Sequence, residues 1–128
     1  MRYLLDSHTL LWAIDSPEKL PRVVRGIVDD RSSVLFVSIA TPWELAIKTN
    51  SGKLDVRELL QEFERSISSS GYELLDTEVP QVIRAGMLPL HHRDPFDRLM
   101  AAQALELRLP IVSRDRVFDL YGVTRIWS

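Results

Sequence analysis

Residues 91–104, HHRDPFDRLMAAQA, place Asp94 and Asp97 three positions apart where a helix begins, behind His91 and His92. Three more acids stand where apolar runs end: Asp6 after RYLL, Glu44 in ATPWEL and Asp115 in IVSRD. Each acid taken singly serves equally well as a helix cap. Thr41-Pro42-Trp43-Glu44 reads as a capping box with Pro at the first helical position. Asp94 reads as an N-cap with Asp97 in the first turn, Asp115 as the cap of residues 116–121, and Asp6 or Ser7 as the cap of the first helix. Gathered at one place, the same acids have a different chemistry. Clustered carboxylates repel one another, and such a cluster is costly without a cation. Hard cations such as Mg²⁺ or Mn²⁺ take oxygen ligands and keep several waters. Those waters can be activated, and a substrate phosphate can complete the shell.

Whether the acids gather depends on the elements that carry them. Residues 2–5 are a short apolar run ending at Asp6, and residues 8–14 read as a helix stopped near Ser16-Pro17. Residues 18–30 read as one helix, with Val23, Val24, Ile27 and Val28 on a common face. The run VLFVSI, residues 34–39, has the β-branched and aromatic character of a strand buried on both sides. Thr41-Pro42 opens a helix ending near Gly52, and residues 57–69 form an amphipathic helix on Leu59, Leu60, Phe63 and Ile67. Strand candidates at 72–75, 109–113 and 123–127 are separated by helices at 78–87 and 95–108 and a helical turn at 115–121. Strands alternating with helices predict a single domain, residues 1–128, with a mainly parallel sheet of four to five strands covered on both faces. Ligand sites of such sheets form outside the carboxyl ends of the strands. Asp6, Glu44 and Asp115 therefore converge on one edge, and Asp97 joins them if its helix starts there.

Composition narrows the classes. The chain has no cysteine, which excludes a disulfide framework and a thiolate nucleophile. It has no apolar run long enough to span a membrane and no secretory signal pattern, so a cytoplasmic location is expected. With a net charge of −2, it has no general electrostatic grip on nucleic acid. Arg93, Arg98, Arg114 and Arg116 flank the acids; they either balance local charge or hold substrate phosphates. His91 and His92 are adjacent on an irregular segment and are expected outside any metal shell. Trp12, Trp43 and Trp127 are expected in or near the core. A phosphorylated receiver domain would need an acid pair after its first strand, where Asp6-Ser7 stands, and a haloacid-dehalogenase-type phosphatase would need an acid at His8. A non-catalytic binding module with a decayed site remains as an alternative.

Four segments together carry a family resemblance: MRYLLDSHTLLWAI, VSIATPWELAIK with GKL shortly after, HHRDPFDRLMAAQA and IVSRDRVFDLYGV. In this order they resemble the PIN-domain family, and within it the VapC-type toxins that carry a DPFDR motif. The resemblance implies a three-layer α/β/α fold and Mg²⁺- or Mn²⁺-dependent endoribonuclease activity. It also implies a cognate antitoxin and a homodimer, or alternatively a role elsewhere in RNA processing. The family's acidic site maps onto Asp6, Glu44, Asp97 and Asp115, with Asp6, Asp97 and Asp115 as metal ligands. Ser113 matches its small hydroxyl residue, and Arg93, Arg98 and Arg114 are expected near substrate. An inhibitor is expected to lay an apolar face against Leu11, Trp12, Val24 and Leu45 and to send a basic side chain into the acids.

Overall fold

In the computed structural model, which describes residues 1–128, five parallel strands form one sheet. They are β1 (Arg2–Leu5), β2 (Val34–Ser38), β3 (Tyr72–Leu75), β4 (Ile111–Val112) and β5 (Arg125–Ile126), in the spatial order β3-β2-β1-β4-β5. The chain winds outward from β1 through β2 to β3, then returns to the other side of β1 for β4 and β5. The strand order therefore reverses between β1 and β4, where Leu4 pairs with Ile111 and Leu5 with Val112. Seven α-helices cover the sheet: α1 (Ser7–Asp15), α2 (Arg22–Asp29), α3 (Ala40–Asn50), α4 (Arg57–Gln61), α5 (Phe63–Ser69), α6 (Val79–Met87) and α7 (Pro95–Leu107).

Successive residues of a strand point to opposite faces. Leu4 and Leu5 are both fully buried, so both faces of β1 are covered. Leu5, Leu35 and Val37 join Leu10, Val24, Leu45, Phe63 and Ile67 in one core layer. Leu4 and Ile111 join Met100, Ala101 and Ala104 of α7 with Phe118 and Tyr121 in the other. The fold is thus α/β/α in three layers, as the alternating pattern predicts.

Three helix readings change. The segment 18–30 is a 3-10 turn at Pro17–Lys19 followed by α2, because Pro21 biases its predecessor to an extended backbone and Leu20 adopts φ −77°, ψ 137°. The segment 57–69 breaks at Glu62 into α4 and α5. The capping box at Thr41–Glu44 does not form. Helix α3 starts at Ala40, whose N–H donates to Ser38 Oγ at 3.1 Å, so Thr41 and Glu44 lie inside the helix and their side chains are free for other partners.

Candidate metal and phosphodiester site

The reversal of strand order leaves a crevice at the carboxyl edge of the sheet between β1 and β4, and the acids collect there. Asp6 is the first residue beyond β1 and N-caps α1, accepting from Thr9 N at 2.8 Å. Ser113, the first residue beyond β4, donates its hydroxyl to the other Asp6 oxygen and accepts from Asp115 N at 3.0 Å. Asp115 caps the 3-10 turn Arg116–Tyr121 through Val117 N at 3.0 Å. Asp94 N-caps α7, and Asp97 sits in its first turn. Asp6, Glu44, Asp94, Asp97 and Asp115 line one cavity of about 600 Å³, with Arg114 and Arg116 beside them and Trp12 and Trp127 as its apolar wall.

Capping and convergence are therefore not exclusive. The crevice is built from helix N-termini, and the acids that cap those helices have their remaining oxygen lone pairs free to face it. Glu44 and Asp97 are the exceptions, since neither caps a helix, and Glu44 is the more deeply buried of the two. Buried at 4% exposure, it accepts from Ser7 Oγ at 2.8 Å and from Lys48 Nζ at 2.8 Å. Ser7 and Lys48 escaped the sequence reading, although Lys48 stands four residues after Glu44 on one helix face. Burial opposes the charge on the Lys48 ammonium, but the contact with Glu44 prevails and holds its pKa above the usual value.

The electrostatics of the cavity are strained. Burial pushes the Asp6 carboxyl above its ordinary range, against the hydrogen bonds from Ser113 and Thr9. Burial, with the neighbouring charges of Asp94 and Glu44, raises Asp97 to about 7, although His92 donates to it. His92 Nε2 lies 2.8 Å from Asp97 Oδ2, so His92 joins the site through Asp97, which is compatible with the expectation that it stands outside the metal shell. His91 instead packs on Tyr121, with ring centroids 5.4 Å apart. The ligand atoms of His92, Asp94 and Asp97 all lie within 4.8 Å of one another, the one such trio of acids or histidines in the chain. Asp6, Asp97 and Asp115 share the cavity without forming so close a group. This donor set of carboxylates and one imidazole, two of its carboxyls raised chiefly by burial, fits a hard divalent cation that keeps several waters.

Arg98 is not at the cavity. Buried at 8% exposure, it donates to the carbonyls of Ala85, Gly86, Leu88, Pro89 and His92 and to the Tyr121 hydroxyl. The expected contact with substrate is thereby corrected. Both terminal nitrogens are spent on the end of α6, the loop carrying His92 and Tyr121, away from the acids. Arg93 also lies off the acid cavity, on an adjoining cleft. Val24 and Leu45 are fully buried and cannot line an inhibitor groove. Leu11 and Trp12 are partly exposed.

The PIN domain family model matches residues 3–123, nearly the whole chain. The chain belongs to the PIN-domain family. No curated protein matches this PIN domain by sequence. Among solved structures, it is similar to a chain of VapBC2 from Rickettsia felis bound to a DNA fragment from their promoter, at 18% identity and TM-score 0.73, covering 100% of each chain. It is similar to a chain of FitAcB from Neisseria gonorrhoeae, at 16% identity and TM-score 0.68, over 98% of this chain and 96% of the other. A chain of a toxin-antitoxin complex from Klebsiella pneumoniae matches at 15% identity and TM-score 0.58, over 89% and 87%. At these identities the likeness establishes the fold. No helix of this PIN domain is long and apolar enough to cross a membrane.

Proposed function

We propose that this PIN domain is a Mg²⁺- or Mn²⁺-dependent endoribonuclease and the toxin of a toxin–antitoxin pair. The observation that carries the reading is the convergence of Asp6, Glu44, Asp97 and Asp115 on one cavity at the strand-order reversal, with free arginines on its rim. A bound divalent cation supplies Lewis acidity at the scissile phosphate and a water of lowered pKa. Asp6, Asp97 and Asp115 would hold it. Asp94 adds negative charge beside Asp97, and His92 fixes the orientation of the Asp97 carboxylate. Ser113 does the same for Asp6. Glu44, anchored by Ser7 and Lys48, presents its remaining lone pairs to the attacking water and orients it. Arg114 and Arg116 attract the phosphate from the exposed rim.

An RNase of this kind requires an inhibitor, and the solved structures that carry this fold include a toxin-antitoxin complex. The cavity's wall of Trp12 and Trp127, ring centroids 5.8 Å apart, suits an apolar anchor. Its acids suit a basic side chain that takes the place of the cation. A homodimer is supported by α6, whose Val79, Val82, Ile83 and Met87 are 53–81% exposed, an apolar stripe of the kind that marks an interface. Its one charged residue, Arg84, is spent on Glu106 of the same chain.

Cleavage of RNA with Mn²⁺ and its loss in EDTA test the activity. Asp6→Asn and Asp97→Asn should each abolish it with the fold intact by circular dichroism. The double variant should be scarcely worse than either single one, because such groups act as a unit. Near-wild-type activity in either single variant would refute the site.

A further inference from the structure

The acid cavity opens sideways onto a second cleft that the chemistry above leaves unused. This cleft, of about 370 Å³, shares Glu44, Lys48 and Asp94 with the cavity, so the two meet along one wall. Past that wall the charge changes sign. Lys53 and Arg93 stand there, both exposed. Neither is engaged in an ion pair, whereas Lys48 is committed to Glu44. Phe96 gives the cleft an apolar side. Trp43 stands edge-on to Phe96, with centroids 5.0 Å apart and planes at 89°, and is itself 65% exposed. The T-shaped contact holds the indole in place while leaving most of its surface in solvent.

Two free cations beside a fixed, exposed aromatic ring constitute a recognition surface for single-stranded nucleic acid. Cations take backbone phosphates, and ring faces take unstacked bases. The need for such a surface is plain from the charges. The catalytic cavity sets five carboxylates against Lys48, Arg114 and Arg116, and a chain with net charge −2 adds no general attraction for a polyanion. Affinity must come from contacts remote from the reacting phosphate.

We propose that this cleft seats the single-stranded RNA segment adjoining the scissile phosphate, with Lys53 and Arg93 on phosphodiesters and a base stacked on Trp43. The inference rests on the ribonuclease reading and adds the path of the substrate to it.

The test uses the full chain and two substrates: a random-sequence RNA of about 20 nucleotides, longer than the ~4–16 that one single-strand site covers, and a dinucleotide too short to reach the cleft. Lys53→Glu, Arg93→Glu and Trp43→Ala should each raise KM on the long RNA about tenfold, with kcat within about twofold and cleavage of the dinucleotide unchanged. Each charge reversal should also lower the slope of log affinity against log salt by ~0.7, the value of one phosphate contact on a single strand. Arg31→Glu, on the turn before β2 at the other edge of the sheet, should change neither. Wild-type KM in all three variants, or equal losses on both substrates, overturns the cleft proposal and leaves the nuclease reading intact. A wild-type protein that neither binds nor cleaves either RNA overturns both.

Discussion

Asp97→Asn in metal-free protein puts the electrostatic reasoning at most risk. Asp97 has its carboxyl raised from 3.8 to about 7 by burial and by Asp94 and Glu44, and its side chain is only 16% exposed. Each tenfold change in proton affinity is worth ~1.4 kcal/mol, so holding this group ionised at pH 8 costs the fold ~4 kcal/mol. The folded form binds the proton more tightly than the unfolded chain. The associated stability is therefore fully present below pH 3.8 and is lost as pH rises through about 7. Asparagine cannot ionise, yet its side-chain oxygen still accepts from His92. Against the gain stands the helix-dipole contribution of a first-turn acid, ~0.3–1 kcal/mol, and imperfect packing of the amide against Asp94. A net stabilisation of ~1–3 kcal/mol remains at pH 8, or roughly 5–10 °C in Tm for a domain of this size. At pH 5 folded Asp97 is protonated while the unfolded chain, with its carboxyl at 3.8, has already ionised. About 1.6 kcal/mol of the penalty therefore persists, and the variant's advantage should shrink by ~2.7 kcal/mol between pH 8 and pH 5. The assay is thermal unfolding in EDTA from pH 5 to 8, repeated with saturating Mn²⁺, which should stabilise wild type more than the variant. A variant that melts at or below wild type at pH 8, or with the same offset at both pH values, would show that the acids are merely caps.

Asp115→Asn should shift stability by less than ~0.5 kcal/mol, since Asn caps as well as Asp; chemical denaturation checks this. In the same assay Arg98→Ala should cost ~3–5 kcal/mol, because five carbonyls and the Tyr121 hydroxyl lose their donor. Arg98→Lys should recover only part, since an ammonium keeps the charge but not the fork of donors. Ile83→Glu, placing a charge in the exposed stripe of α6, should convert the proposed dimer to monomer by light scattering without loss of helicity.

Much of this architecture is written locally. Short apolar runs followed by an acid, and apolar periodicity in the helices between them, determine five strands, a parallel sheet and its carboxyl edge, because strand and helix periods are properties of a few neighbouring residues. Asp94 capping α7 is legible for the same reason, since an N-cap bonds within three residues. Other features depend on partners far away in the chain. Glu44 looks like half of a capping box, but the helix begins at Ala40 and Glu44 answers Ser7, thirty-seven residues earlier. His92 reads as either a solvent-side residue or a neighbour of a ligand, and only the fold, in which Arg98 binds its carbonyl, sets its ring on Asp97. Arg98 itself reads as a charge balance or a phosphate ligand, and only the packing of α6 on α7 turns it inward. The sign of an arginine is set by its formula, but its task is set by which acceptors lie within ~3 Å. Sequence spacing determines that distance only inside one helix or turn. Across the sheet edge, the tertiary fold alone decides it.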